Sequence, residues 1–476
     1  MTRDYRFYCA GGWRSSANTL EVRNPYDDTL VGTTSFATSQ DLDDAITAAE
    51  DAFEIMRFMP AFERVAALTK LASLMREREE EIALLIARES GKPLRDAAVE
   101  AARGTFTVDI AAEEARRMNG EMIPLDLMAS SKGRFGITRK VPIGPISAIS
   151  PFNFPLNLAL HKVAPAIASG NPIVLKPPTR DPLTMLTIAE MIDDIGLPAG
   201  AVSIMPMDRT IGDRLVTDER FKLLSFTGSP DVGWDMKNRA GKKKVVLELG
   251  GNAGVIVDKD ADLNVAVNRV RTGAYAYAGQ VCISVQRVYV HRDIFDHFCE
   301  ALVAAVQTIM VGDPTDPDTE LGPMIDEKAS GRIDEWVQSA VGDGAKVLTG
   351  GHADGRFYEP TVIVGSTRDA FICSREAFAP IVNVFPFDDF NTALEQINDS
   401  VFGLQAGVFT SNLEHALLAF DRLEVGGVII NDIPTYRIDH MPYGGVKDSG
   451  LSREGLKYAI EDMTETRLMV FNRLSR

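Results

Sequence analysis

Ile146-Ser147-Ala148-Ile149-Ser150, followed by a helical run over 156–168 and then by Pro172-Ile173-Val174-Leu175-Lys176, is where the chain shows its architecture. Two short apolar runs flank a longer one with helical spacing, which reads as strand, helix, strand. The alternation continues with a helix expected over 182–195, a strand over 201–205, a helix over 211–216 and a strand over 223–226. Such a succession requires a parallel sheet with helices on its faces, and it places ligands at the carboxyl ends of the strands.

Upstream, residues 1–35 read as short strands, with a strong turn at Asn24-Pro25-Tyr26-Asp27-Asp28. Ser39 is the expected cap of a helix starting at Gln40, and two longer helical stretches are expected over 61–90 and 93–118. Between 120 and 142 the helical period breaks around the turn Ser130-Ser131-Lys132-Gly133, which predicts a long hairpin. That hairpin is either an oligomerisation arm or a surface feature without a partner.

At 476 residues the chain is long enough for two or three domains. Its formal charge of −17 opposes binding to nucleic acid or to anionic membranes, so neither is an expected partner. Cys9, Cys282, Cys299 and Cys373 are widely spaced, which indicates neither a disulfide framework nor a zinc site; no metal is expected. The N-terminal stretch lacks the apolar core of a secretory signal, and no run reaches membrane-spanning length, so a cytoplasmic setting is expected.

The chemically informative residues follow strands. Asn153, in Pro151-Phe152-Asn153-Phe154-Pro155, is held by prolines on either side; it is an oxyanion donor or a turn-stabilising side chain. Lys176 suits a ribose hydroxyl or a phosphate, or is simply solvated. The stretch Phe226-Thr227-Gly228-Ser229-Pro230-Asp231-Val232-Gly233 opens a helix, and its glycines would let backbone N–H groups approach a pyrophosphate. Glu248 lies in the apolar run Val245-Val246-Leu247-Glu248-Leu249-Gly250-Gly251, where burial would raise its pKa toward general-base duty. Cys282, in Tyr277-Ala278-Gly279-Gln280-Val281-Cys282-Ile283-Ser284, is expected at the mouth of a strand, as a nucleophile or as a small buried hydrophobe.

Together the segments Ser150-Pro151-Phe152-Asn153-Phe154-Pro155, Leu175-Lys176-Pro177, Phe226-Thr227-Gly228-Ser229, Leu247-Glu248-Leu249-Gly250-Gly251, Gly279-Gln280-Val281-Cys282 and Glu376-Ala377-Phe378-Ala379-Pro380 resemble the aldehyde dehydrogenase superfamily over essentially the whole chain. The resemblance implies an α/β fold: a Rossmann-type dinucleotide-binding domain (1–119 and 143–250), an α/β catalytic domain (251–450) and a small β oligomerisation element (120–142 and 451–476). It implies Cys282 as nucleophile, Glu248 as general base and Asn153 as oxyanion donor. The implied cofactor site comprises Ser150, Pro151, Phe152, Lys176, Thr179, Gly212, Phe226, Thr227, Gly228, Ser229, Gly233, Leu249, Glu376 and Phe378. A homodimer or homotetramer is expected.

The stretch from Asn431 to Gly445 resembles the branch holding lactaldehyde, phosphonoacetaldehyde, semialdehyde and non-phosphorylating glyceraldehyde-3-phosphate dehydrogenases. Asn153, Val281, Ile283 and Arg437 are the implied substrate contacts. Arg437 would grip an anionic group with its planar fork, or else form an ion pair with Asp432 or Asp439. Branches that use phosphorylated or phosphonate substrates can carry arginine where this chain has Val281, so small hydroxy-aldehydes or semialdehydes are favoured, with phosphonoacetaldehyde or glyceraldehyde-3-phosphate as the alternative. Strongly NAD-selective relatives often place a glutamate where Thr179 stands, followed here by Arg180, so NADP or NAD is expected, NADP being accepted. In another class, a cysteine-dependent acyl hydrolase would also use Cys282 but needs a histidine base, and no motif supplies one.

Overall fold

The computed structural model describes residues 3–473, so the first two residues of the segment 1–119 and the last three of 451–476 lie outside the described residues. The alternating stretch builds the centre of an eight-stranded sheet. Lys244–Glu248, Leu223–Thr227, Ile146–Ile149, Ile173–Lys176 and Val202–Ile204 lie side by side and parallel in that order. Gly450–Leu451 closes one edge antiparallel, and Phe7–Cys9 with Gly12–Arg14 closes the other. The central strands are buried on both faces, which is why they read as continuous apolar runs rather than alternating ones. Register pairs Ile149 with Lys176, Phe226 with Ile149 and Thr227 with Glu248, so the residues that follow these strands share one edge.

A second sheet takes over five residues after Glu248, at Ala253. Its seven strands run in the order Lys346–Thr349, Thr361–Val364, Ile381–Phe387, Val285–His291, Ala253–Val257, Gln405–Phe409 and Gly427–Ile430, all parallel except the first. The chain therefore leaves the first sheet at its carboxyl edge and enters the second at an amino end. Cys282 lies just before Val285–His291, at an amino end as well. A third sheet joins Met122–Pro124 to Arg134–Pro142, and Thr464–Asn472 pairs with that strand from Thr464↔Pro142 to Asn472↔Arg134.

Local chemistry shifted several expected boundaries. Thr38, not Ser39, caps the first helix: its Oγ1 accepts from the Asp41 N–H at 3.2 Å while the Asp41 carboxylate accepts from the Thr38 N–H at 2.9 Å. The stretch 61–90 is two helices, Ala61–Glu77 and Glu79–Ser90, broken at Arg78 by a non-helical backbone (φ −116°, ψ 22°). The expected helix at 211–216 is two single turns, Arg209–Gly212 and Arg214–Thr217.

One buried ion pair ties the helical layer to the site. Lys92 and Glu100 have side chains 1% and 0% exposed and are hydrogen-bonded to each other. The other Glu100 oxygen accepts the N–H groups of Leu156 and Asn157 at 3.0 and 3.1 Å, at the start of the helix Asn157–Ser169. The Lys92 ammonium sits 3.8 Å from the Phe154 ring centroid and 4.7 Å from that of Tyr277. Replacing Lys92 by methionine strands the Glu100 charge in the interior. Lys92→Met is expected to lower stability by about 3 to 5 kcal/mol, read as the shift in a urea unfolding curve; a change within experimental error would show that the pair is not a structural tie.

Candidate active site

The carboxyl edge of the first sheet meets the amino ends of the second, and the implied residues gather where they meet. The turn carrying the cysteine is strained: Tyr277, Ala278 and Gly279 are consecutive left-handed residues, with φ of 47°, 52° and 68°. Two non-glycine residues in that region cost of order 1 to 3 kcal/mol each and persist only where the surroundings over-determine them. Here the Tyr277 hydroxyl donates to the Ser90 carbonyl at 2.8 Å, and Gly279 packs against the Ala379 backbone with no room for a Cβ. The Asn153 carboxamide donates one of its two N–H groups to the Gln280 carbonyl at 3.0 Å, joining the loop of one sheet to the loop of the other.

Cys282 is half-buried on the wall of a cavity of about 200 Å³. Its sulfur lies 3.0 Å from the Tyr443 hydroxyl. Burial pushes the thiol up to about 12; the Tyr443 hydrogen bond and Arg437 pull it down, while Glu376 and Glu248 push it up. None of the histidines is hydrogen-bonded to this sulfur among the described residues; His161 bonds Asp439 and His415 bonds Asp258. The imidazole base that an acyl hydrolase of this kind requires is therefore missing from the sulfur.

Glu248 ends its strand 3% exposed, and neither carboxyl oxygen has a hydrogen-bond partner among the described residues. Burial, reinforced by the Glu454 charge, holds its pKa well above the carboxylate range.

Arg437 pairs with neither of the aspartates considered from sequence. Its Nη2 donates to the Glu454 carboxylate at 3.0 Å, and its guanidinium carbon lies 3.8 Å from the Tyr443 ring centroid. Asp432 is taken by Arg269, and Asp439 by Arg103 and His161. The arginine with more accessible surface is Arg103, whose side chain is 27% exposed against 7% for Arg437. Arg103, Lys92 and Tyr443 line the same cavity as Cys282, Val281, Ile283 and Arg437, and sequence reading singled out none of those three. Asp96, Val99 and Arg103 follow a helical three-and-four spacing, and that periodic face was the available signal.

The implied cofactor residues fall into contacting groups. Lys176 Nζ is 3.4 Å from Thr179 Oγ1, and Gly212 stands where a Cβ would lie 3.2 Å from the Lys176 chain. Burial brings the Lys176 ammonium down to about 8. Arg180 turns away to Asp326 at 2.5 Å, so it does not reinforce this group as its place in sequence implied. The Ser150 hydroxyl is buried without a partner. Phe152 meets Phe378 edge to face at 5.9 Å, and the Glu376 carboxylate accepts the Gly251 N–H at 3.0 Å. Burial raises Glu376 to about 7, against that hydrogen bond and Arg332.

The glycines here work differently from the expectation. The Gly228 N–H is spent on the Glu248 carbonyl at 3.0 Å, and that of Gly233 on the Ser229 carbonyl at 3.0 Å inside the helix Pro230–Arg239. Their value is space: a Cβ at Gly228 would come within 2.5 Å of the Phe226 ring, and one at Gly233 within 2.5 Å of Leu249. The free Ser150 hydroxyl and the loosely held Lys176 ammonium fit a dinucleotide.

A family model described as "Aldehyde dehydrogenase family" matches residues 13–469. The chain is 43% identical over 473 residues to a 3-sulfolactaldehyde dehydrogenase of Priestia megaterium, covering 99% of each. Among solved structures, aldehyde dehydrogenase 21 from Physcomitrella patens, in complex with the reaction product succinate, superposes with a TM-score of 0.98 at 48% identity, covering 100% of this chain and 99% of that one. A glyceraldehyde-3-phosphate dehydrogenase from Methanocaldococcus jannaschii, complexed with NADP, superposes with a TM-score of 0.92 at 37% identity, covering 97% and 100%.

Cys9, Cys299 and Cys373 are buried and none of them lines this cavity, although Cys373 and Cys299 border cavities elsewhere; Cys282 is the half-buried thiol. Iodoacetamide followed by peptide mass mapping is expected to modify Cys282 first, at a rate rising about tenfold per pH unit below the thiol's midpoint. Faster labelling of any other cysteine would contradict this arrangement.

Proposed function

This chain belongs to the aldehyde dehydrogenase family, and we propose that it oxidises a short aldehyde bearing one negative charge at its far end, a carboxylate or a sulfonate, to the corresponding acid. The observation that carries this reading is a small cavity that holds Cys282 beside apolar Val281 and Ile283 and also presents Arg103. The names of the relatives agree: one acts on sulfolactaldehyde, and another was captured with succinate.

The residues take these roles. The Cys282 thiolate attacks the aldehyde carbon, forming a C–S bond while the carbonyl electron pair moves to oxygen. Asn153, anchored through Gln280, has its second N–H for that oxyanion. A nicotinamide dinucleotide, when bound, supplies the hydride acceptor. Ser150, Pro151, Lys176, Thr179, Gly212, Glu376, Phe226, Thr227, Gly228, Ser229, Gly233 and Leu249 would hold it, together with the Phe152–Phe378 pair. Loss of a hydride from that carbon to such an acceptor would let the oxyanion collapse to a thioester on Cys282. Glu248, once ionised, takes a proton from water, hydroxide adds to the acyl carbon, and the C–S bond breaks to release the acid and regenerate Cys282.

NADP is accepted alongside NAD, since Thr179 is neutral and stands next to the Lys176 ammonium. Arg103, bonded to Asp439 through Nε and Nη2 but still 27% exposed, holds the charged end of the substrate with what its fork leaves free; Arg437, committed to Glu454 and 7% exposed, acts from deeper in the wall. Val281 disfavours a doubly charged phosphate or phosphonate. We also read the third sheet as the surface for self-association into a dimer or tetramer: Leu468, Met469, Val470 and Phe471 on its outer strand are 51%, 54%, 50% and 39% exposed, a run of apolar surface that a lone chain leaves in water. The domain limits 1–119 with 143–250, 251–450, and 120–142 with 451–476 are supported by the eight-stranded sheet, the seven-stranded sheet and the sheet of Thr464–Asn472, Arg134–Pro142 and Met122–Pro124, while Gly450–Leu451 pairs back into the first of these across the last limit. Four free thiols accord with a reducing, cytoplasmic setting.

Two measurements test the reading. Steady-state kinetics with succinate semialdehyde, 3-sulfolactaldehyde, lactaldehyde and glyceraldehyde-3-phosphate, each with NAD and NADP, are expected to favour the singly charged aldehydes. Arg103→Met should lower kcat/KM for these by about 10- to 100-fold while sparing lactaldehyde; an equal loss on both, or a preference for NAD of several hundredfold, would refute the respective claims. Because the Glu248 pKa is raised, its carboxylate fraction grows with pH and turnover should climb with it. Glu248→Gln should keep a single burst of reduced cofactor yet slow steady turnover by about 100-fold, with the pH slope gone.

A further inference from the structure

The hydrogen-bond partner of Cys282 is a group that the reaction outlined above does not use. Tyr443 is 2% exposed, and its hydroxyl lies 3.0 Å from the sulfur. Its backbone is pinned on both sides: the Tyr443 N–H donates to the Glu454 carbonyl at 3.0 Å and the Glu454 N–H to the Tyr443 carbonyl at 2.6 Å. The Glu454 side chain in turn holds Arg437 against the face of the Tyr443 ring. Backbone and ring are thus both fixed, and the hydroxyl is aimed at the sulfur rather than free to rotate toward solvent.

We propose that Tyr443 is a catalytic residue that donates its O–H to the Cys282 thiolate and so sets how much of the nucleophile is available at neutral pH. The proposal rests on reading Cys282 as the nucleophile. With a neutral thiol the contact is a weak hydrogen bond in either direction. When the thiol releases its proton to water, O–H···S⁻ becomes charge-assisted, and the hydroxyl replaces part of the hydration that the half-buried sulfur lacks. Burial holds the Tyr443 phenol above its ordinary range, which keeps it a donor at neutral pH. Attack on the aldehyde moves the negative charge from sulfur to the carbonyl oxygen. A sulfur bonded to carbon is a weak acceptor, so the interaction is strong while sulfur is anionic and relaxes once the bond has formed.

The other charged groups around the sulfur do not replace this donor. Glu376 and Glu248, when ionised, oppose thiolate formation; Arg437 favours it but spends its Nη2 on Glu454. Lys92, Asp96 and Arg103 also line the cavity, and each is engaged elsewhere: Lys92 with Glu100, Asp96 beside Arg95, Arg103 with Asp439.

The test is the iodoacetamide rate at Cys282 in the full chain, without aldehyde, from about pH 7 to about pH 10. Losing a charge-assisted hydrogen bond raises the thiol midpoint by about 1 to 2 pH units, and the more basic thiolate recovers slightly under half of that in nucleophilicity. Tyr443→Phe should therefore label about three- to tenfold more slowly across that range; an equal or faster rate overturns the proposal. 3-Fluorotyrosine at position 443 keeps ring and hydroxyl but strengthens the donor, and should label faster than the natural protein at neutral pH. Unchanged or slower labelling of that variant would also overturn it. Aldehyde oxidation by Cys282→Ala is the separate control: turnover there would refute the nucleophile assignment itself, whatever the labelling rates show.

Discussion

A single buried carboxylate, Glu454, stands between the Lys162 ammonium at 3.2 Å and the Arg437 guanidinium at 3.0 Å. Burial opposes its ionisation, yet Lys162 and Arg437 hold it down at about 2. Removing one member of such a set would leave an uncompensated charge in the interior, so the three are placed as a unit. Lys162 projects from the helix Asn157–Ser169 and also donates to Ser225 and Thr227 on a central strand. Arg437 lies against Tyr443, and Tyr443 against the sulfur. The strand, the helix and the nucleophile's wall are thereby held through one charge cluster. With both cations turned to Glu454, Glu248 is left as the carboxylate without a partner. Burial first and the Glu454 charge second raise its pKa, against the lesser pull of Arg437 and Lys162.

The second constraint is the way the two sheets meet. Residues just after the strands of the first sheet face loops that open strands of the second, and contacts between Asn153 and Gln280, Phe152 and Phe378, and Glu376 and Gly251 bridge the junction. Polar side chains at such a seam can be buried without breaking a sheet, since none of them interrupts a ladder. The left-handed run at Tyr277 to Gly279 belongs to the same seam. It turns the chain sharply enough to bring Cys282 under Tyr443, and the Tyr277 hydroxyl, the rings around Lys92 and the close packing at Ala379 keep it from relaxing.

Within the cavity, burial sorts the arginines by task. An arginine whose fork is occupied by a carboxylate and whose face covers an aromatic ring shapes its neighbours. One that keeps accessible surface can meet a ligand. Arg437 is of the first kind; Arg103 also has its Nε and Nη2 on a carboxylate, that of Asp439, but its side chain keeps 27% of its surface exposed and so is of the second, an assignment their positions in the chain do not reveal.

The alternating runs between Ile146 and Glu248 determined by themselves that a parallel sheet forms and that chemistry gathers after its strands, because period and burial are local properties of a strand or a helix. The six spaced motifs likewise identified the family and pointed to Cys282, Glu248 and Asn153. Local reading misplaced what depends on partners far away. Arg78 broke a helix, Thr38 took a cap from Ser39, and Gly228 gave its N–H to Glu248 instead of keeping it for a phosphate. Arg180 went to Asp326, 146 residues along. Only the tertiary structure decided that Glu454 rather than Asp432 or Asp439 pairs with Arg437, that Arg103 reaches the cavity, and that the Tyr443 hydroxyl meets the sulfur. Ion pairs and hydrogen bonds between distant residues are set by where the chain's folding carries them, and a linear pattern holds no record of that.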